Sequence, residues 1–205
     1  MEFARKIHSK EELLEAVNEY GILQFWSEEH LSAWTLSGVN FNTLWKIRED
    51  VVNSLEVVYG KYADKKATFV SREVFPYLAA LRRDGYDFDS LSDEGRAPNR
   101  ETLIMNAVAD GTQPSYALGK SLGIKGFDAA VTSLQNKTYL CLTFKKSMMG
   151  TALLSKPETI FGYDYVRSKY SLSPAECAEE IKRRAAKGLT AFDEKTLKKL
   201  LSPAI

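Results

Sequence analysis

Phe127-Asp128-Ala129-Ala130-Val131-Thr132-Ser133-Leu134-Gln135-Asn136, followed after Lys137 by Thr138-Tyr139-Leu140-Cys141-Leu142-Thr143-Phe144, is the stretch whose reading decides the fold. Phe127, Ala130, Val131 and Leu134 fall at i, i+3, i+4 and i+7, the spacing of one buried helix face, so a helix is expected over 126–136. The period then changes. Leu140, Leu142 and Phe144 alternate, which predicts a strand over 138–144. Lys145-Lys146-Ser147-Met148-Met149-Gly150 reads as a turn and 151–155 as the returning strand. Upstream, one helix fits 100–109 with Leu103, Ile104 and Val108 inward. A second fits 115–122, opened by Ser115 and stopped by Gly123. Helix, helix, helix, hairpin at this spacing is the order of a winged helix-turn-helix.

If the helix over 126–136 buries its apolar side, its other side presents Lys125, Asp128, Ala129, Thr132, Ser133 and Asn136. Short polar side chains let a helix enter a major groove, and asparagine pairs bidentately with adenine. Lys120, Lys137, Lys145 and Lys146 are expected to flank that helix and tip the wing, where phosphates would lie. A solvated helix kept soluble by its lysines is the plain alternative. A second basic stretch, Lys61, Lys65, Lys66 and Arg72, is interleaved with Tyr59, Tyr62 and Phe69. Such a mixture suits phosphate neutralisation and base stacking, and equally an amphipathic surface over core aromatics.

Outward from this centre, residues 1–98 read as an N-terminal helical, winged-helix-like region. Ser9 with Glu12 predicts a capped first helix ended by Gly21. Ser27 is placed to cap a short helix bearing Leu31 and Trp34. Leu44, Ile47, Val51 and Leu55 predict a helix over 43–58, residues 67–70 a short strand, and Ser71 a helix running to about Arg83. Residues 84–98, rich in Asp, Gly and Ser, read as a loop or junction, and their aspartates miss the spacing of a calcium loop. Residues 166–205 form a helical tail expected to pack on the core, with a capping box at Ser173 and Glu176 and a last helix opened by Thr190 or Asp193. The fold class is thus α+β and mostly helical.

Composition narrows the function. The 205 residues are 44% apolar and 27% charged with a net charge of +1, which excludes wholesale disorder, a polybasic tail and an acidic solvating chain. Charge divides along the chain. Residues 1–98 carry 12 Lys and Arg against 17 Asp and Glu, a net of −5, and the remainder carries +6. An anionic partner is therefore expected at one end of the molecule. Two histidines and two cysteines, Cys141 and Cys177, lack metal-ligand or disulfide spacing, so neither metal nor cofactor is expected. No apolar run is long enough for a membrane span and no secretory signal opens the chain, so a reducing cytoplasm is the expected location.

Three blocks carry a family resemblance: Gly21-Ile22-Leu23-Gln24-Phe25, the segment from Tyr62 to Phe75, and residues 101–163. In that order they resemble the AlkZ-related winged-helix proteins, small relatives of the AlkZ (YcaQ-like) DNA glycosylases that excise alkylated and crosslinked purines. In those glycosylases a Gln-apolar-Gln or Gln-apolar-Asp triplet holds the catalytic water and the developing sugar cation. By resemblance Gln24 takes the first position and Phe25 the second, while Trp26 falls where the second amide or carboxylate belongs. An indole accepts no proton, although it can stack a base. The family's histidine falls at Lys65 and its neighbouring glutamate at Lys66, which favours holding phosphate over acid–base work.

Three functions fit these readings. The first is a non-catalytic cytoplasmic protein that binds DNA by phosphate and shape contacts. The second is a glycosylase in which Gln24 orients water and Lys65 or Arg72 grips the backbone. The third is a winged-helix protein-interaction module without nucleic acid.

Overall fold

The structure, a computed structural model, describes residues 6–145 and 151–204. Two units share one element order. The first comprises α1 (Lys10–Tyr20), β1 (Ile22–Gln24), α2 (Ala33–Leu36), α3 (Phe41–Asn53), β2 (Val57–Ala63) and β3 (Lys66–Ser71), with its sheet ordered β1-β3-β2. Between the units run α4 (Phe75–Arg83) and α5 (Phe88–Asp93). The second unit comprises α6 (Asn99–Ala107), β4 (Gln113–Pro114), α7 (Ser115–Leu122), α8 (Phe127–Asn136), β5 (Cys141–Lys145) and β6 (Thr151–Ser155), ordered β4-β6-β5. All pairings in both sheets are antiparallel. The chain ends in α9 (Pro157–Phe161), α10 (Tyr163–Arg167), α11 (Pro174–Arg184), α12 (Ala186–Leu189) and α13 (Glu194–Leu200).

Local chemistry explains where the sequence expectations need correcting. The helix expected over 43–58 stops at Asn53, because Leu55 takes a left-handed φ of 60° and the β-branched pair Val57-Val58 begins a strand. Ser32, not Ser27, caps α2, in a reciprocal capping box with Thr35. Ser71 accepts from the Val74 amide, but α4 starts only at Phe75, with Pro76 in its first turn. The expected loop over 84–98 contains α5, whose Phe88 and Leu91 are buried against the second unit. Leu103 points outward at 43% exposure and Met105 fills its place. Pro114 occupies the Ncap position of α7, without a side-chain cap. The expected strand over 138–144 begins only at Cys141, and the helix opened by the Ser173–Glu176 capping box runs to Arg184 and is followed by α12.

Three apolar clusters form the interior. One fills the first unit, between α1, α3 and its sheet, and also takes in Phe144 of β5 and Ala191 of the tail; one lies in the second unit together with α5. The third joins the two: Tyr62 and Val70 of the first hairpin, most of α4, Cys141 of β5, and Val166, Cys177, Ile181 and Leu200 of the tail. Side chains reinforce the seam. Asn53 donates to the Phe144 carbonyl (2.9 Å) and accepts its amide (3.0 Å), so α3 closes the edge of β5 as a strand would. Tyr62 donates to the Leu140 carbonyl at 3.2 Å.

Two consecutive arginines at the end of α4 anchor the rest. Arg83, 1% exposed, reaches Thr138, Glu158 and Tyr170 and lies over the Tyr139 ring. Arg82 donates to the carbonyls of Asn136 (3.0 Å), Lys199 and Leu200, and its own carbonyl accepts the Ala204 amide at 3.0 Å.

The tail returns to the first unit where two glycines permit it. Gly21 adopts a φ of +69° beside Ala185. A Cβ on Gly188 would lie 2.2 Å from the Ile22 carbonyl oxygen and 2.3 Å from that of Tyr20, both main-chain atoms that cannot swing away. Gly188→Ala is therefore expected to destabilise the protein by about 1–3 kcal/mol, the usual range for overpacking a fitted contact. Urea denaturation of the wild type and variant checks this. An unchanged midpoint would mean that α12 does not dock as described.

Candidate nucleic-acid interface

Asp64 and Lys65 both take left-handed φ angles (47° and 57°), and Ala63 pairs with Lys66 across them. This tight two-residue turn follows the right-handed twist of the hairpin. It delivers Lys65 to one side of the hairpin tip and Lys66 to the other. On the Lys65 side lies a cleft of about 950 Å³ between β2, α8 and α13.

One wall of the cleft is the face of α8 bearing Asp128, Ala129, Thr132, Ser133 and Asn136, left over when Ala130, Val131 and Leu134 are buried. Facing it, the Lys61 amide donates to Oε1 of buried Gln135 at 2.8 Å, and Lys61 Nζ donates to Thr132 Oγ1 at 3.3 Å. Lys195, Lys198 and Lys199 of α13 form the third side, and Arg82 and Tyr62 close the bottom.

Cations dominate this space. Among the described residues, Lys65, Lys195, Lys198 and Lys199 have no carboxylate at ion-pair distance. The lining carboxylates are Asp64, which faces Lys66 at 3.7 Å, and Asp128. Arg82 adds a buried charge met only by carbonyl oxygens, and burial draws its pKa down to about 10. Like charges gathered around a cavity repel one another, and an anionic ligand relieves that repulsion.

The cleft thus unites Lys61, Lys65, Thr132 and Asn136 from the residues singled out in the sequence. It adds Lys195, Lys198, Lys199 and Arg82, which were not anticipated. Lys66 borders a separate pocket. Arg72 donates to the Leu55 carbonyl (2.9 Å) and lies over the Phe161 and Tyr165 rings at 4.8 and 4.2 Å, so it is occupied within the fold. Lys137 is held by Glu101 at 3.0 Å. Lys120, Lys125 and Lys145 are exposed away from the cleft, and Lys146 lies outside the described residues. Lys182, Arg183 and Arg184 pair with Glu179, Glu180 and Glu73.

Gln24 lies in β1 opposite Thr68 and is 2% exposed. Trp26, two residues on, is at the surface among Trp34, Phe41 and Trp45. Burial raises the thiol pKa of both cysteines, that of Cys177 to about 11, which leaves them poor nucleophiles. Among the described residues no three His, Cys, Asp or Glu side chains gather as metal ligands, and no helix is long and apolar enough to cross a membrane.

Two units of the same element order, each a set of helices with a small antiparallel sheet, pack around a lysine-lined cleft and define the class of this molecule. The chain belongs to the AlkZ-related family, whose model matches residues 7–202. Among solved structures it is similar to the Streptomyces sahachiroi DNA glycosylase AlkZ, at 15% sequence identity and a TM-score of 0.51. That similarity covers 96% of this chain and 59% of the AlkZ chain, and at this identity it is a likeness of fold. No curated protein matches the chain.

The contact between Lys61 and Gln135 sets the distance between the cleft's hairpin wall and α8. Gln135→Leu strips the Lys61 amide of its acceptor, and a lost partner in a buried setting costs about 1–3 kcal/mol. A drop of that size in the urea unfolding free energy is expected, and a variant as stable as the wild type would mean that the bridge contributes nothing.

Proposed function

We propose that this protein is a cytoplasmic DNA-binding protein that excises no base and holds the phosphate backbone in the cleft between β2, α8 and α13. The observation that carries this reading is the set of lysines, Lys61, Lys65, Lys195, Lys198 and Lys199, gathered around one cavity from the first hairpin and from α13, which lie far apart in sequence. Membership of the AlkZ-related family supports DNA as the source of the phosphates. Asn136 and Thr132 on the α8 wall supply uncharged donors and acceptors between the lysines.

The chemistry at Gln24 and Trp26 supports the absence of excision. Glycosidic cleavage needs a carboxylate or amide placed beside the sugar. Gln24 is buried in a sheet, and by the family resemblance Trp26 stands where the second polar group would act. A glycosylase reading draws on Glu28 and Glu29, which border a pocket with Trp26. It is decided by incubating alkylated DNA with the wild type and with Gln24→Ala. No base release from either is expected, and release by the wild type that is lost in Gln24→Ala would establish catalysis instead.

Binding itself has a quantitative signature. Each phosphate neutralised on duplex DNA contributes about −0.9 to the slope of log affinity against log salt, so the protein should bind more tightly at ~50 mM salt than at ~200 mM. Replacing Lys198 and Lys199 together by alanine is expected to flatten that slope by about 2, and Lys65→Ala by about 1. Fluorescence anisotropy with a labelled duplex provides the readout. No binding at low salt, or slopes unaltered in the variants, would overturn the assignment of the cleft.

A further inference from the structure

Trp26 has a place in the surface that the cleft does not account for. Its indole, 38% exposed, is stacked on Trp34 with ring centroids 4.5 Å apart and an interplanar angle of 26°. Phe41 meets it edge-on at 5.2 Å and in turn contacts Trp45 at 5.2 Å. An indole braced in this way is a rigid apolar plane, and a partner that covers it does not first have to order a mobile side chain.

A pocket of about 480 Å³ opens beside this ring, bordered by Glu28, Glu29, His30 and Lys66. Its position relative to the cleft is what matters. Lys65 borders the cleft and Lys66 borders the pocket, and they are consecutive residues at the tip of the first hairpin, so their Cα atoms lie about 3.8 Å apart. A cationic channel and an aromatic plane therefore meet at a single turn. Among the described residues Lys66 has Asp64 as its one ion-pair partner, in an exposed pair of the kind that exchanges readily. The carboxylates of Glu28 and Glu29 repel phosphate from the pocket but accept hydrogen bonds from the amino groups of a base, so the pocket suits a base edge and not the backbone.

The geometry points to a binding site for an unpaired nucleobase on the Trp26–Trp34 stack, with the strand that carries it crossing the Lys65–Lys66 turn into the cleft. This site rests on the DNA-binding reading above and adds to it a class of substrate. Inside a duplex both faces of a base are covered by its neighbours, and only a base out of the stack can offer one to Trp26. Stacking on an aromatic side chain tolerates any base identity, because every base has a flat face.

The test compares a fully paired duplex with one of equal length carrying a single unpaired base, at the same salt concentration. The wild type is expected to favour the second by about tenfold. Trp26→Ala should remove the preference and leave affinity for the paired duplex unchanged, and Trp26→Phe should keep part of it. With 2-aminopurine as the unpaired base, its emission should be quenched on saturation with the wild type. Should Trp26→Ala fail to fold, the wild-type preference and the quenching decide the matter alone. Equal affinity for the two DNAs, a preference that survives in folded Trp26→Ala, or unquenched 2-aminopurine would each overturn the site while leaving duplex binding intact. Failure to bind either DNA would remove the DNA-binding reading and the site with it.

Discussion

The arrangement of the molecule depends on two guanidinium groups at the end of α4. Arg83 is fully enclosed and spends its donors on Thr138, Glu158 and Tyr170, which tie the turn after α8 to the segments that follow the second hairpin. Arg82 faces the other way and gathers carbonyls from the ends of α8 and α13. Carbonyls at a helix C-terminus carry partial negative charge, so two helix ends offset a cation that has no carboxylate partner among the described residues. A buried arginine left without such partners would cost several kcal/mol. Both helices are consequently held wherever α4 ends. The α8 and α13 walls of the cleft are set by these bonds and the hairpin wall by the bridge from Lys61 to Gln135.

This dependence separates what could be read in the sequence from what could not. The second unit was legible because its helices and hairpin keep clean periods: Ala130, Val131 and Leu134 bury on α8, and Leu140 and Phe144 bury along the strand segment. β4 was not, since a two-residue edge strand containing Pro114 carries no periodic signal. β2 was hidden for a different reason. Leu55 extends the helical spacing of Leu44, Ile47 and Val51 by one step, yet it sits in the connecting turn at positive φ. Local spacing alone does not show where a helix lets go.

The candidate site was half legible for the same physical reason. Lys61, Lys65, Thr132 and Asn136 stood out because they sit beside strong structural signals. Lys195, Lys198 and Lys199 look like the solvated face of a terminal helix, and nothing near them in sequence says that Arg82 draws that helix across to α8. Convergence of this kind depends on contacts more than a hundred residues apart. The face of α8 suited to a major groove instead lines an internal cleft, because the hairpin of one unit packs against the third helix of the other.

The bonds made by Arg82 end on main-chain oxygens, and that has a consequence for how such a protein can change over generations. Side chains on the cleft faces of α8 and α13 can be exchanged without altering the oxygens that Arg82 holds, because every residue type supplies the same carbonyl. The spacing of the walls is thereby uncoupled from their chemistry. A lineage can revise what the cleft recognises, residue by residue, on a frame that does not have to be rebuilt each time.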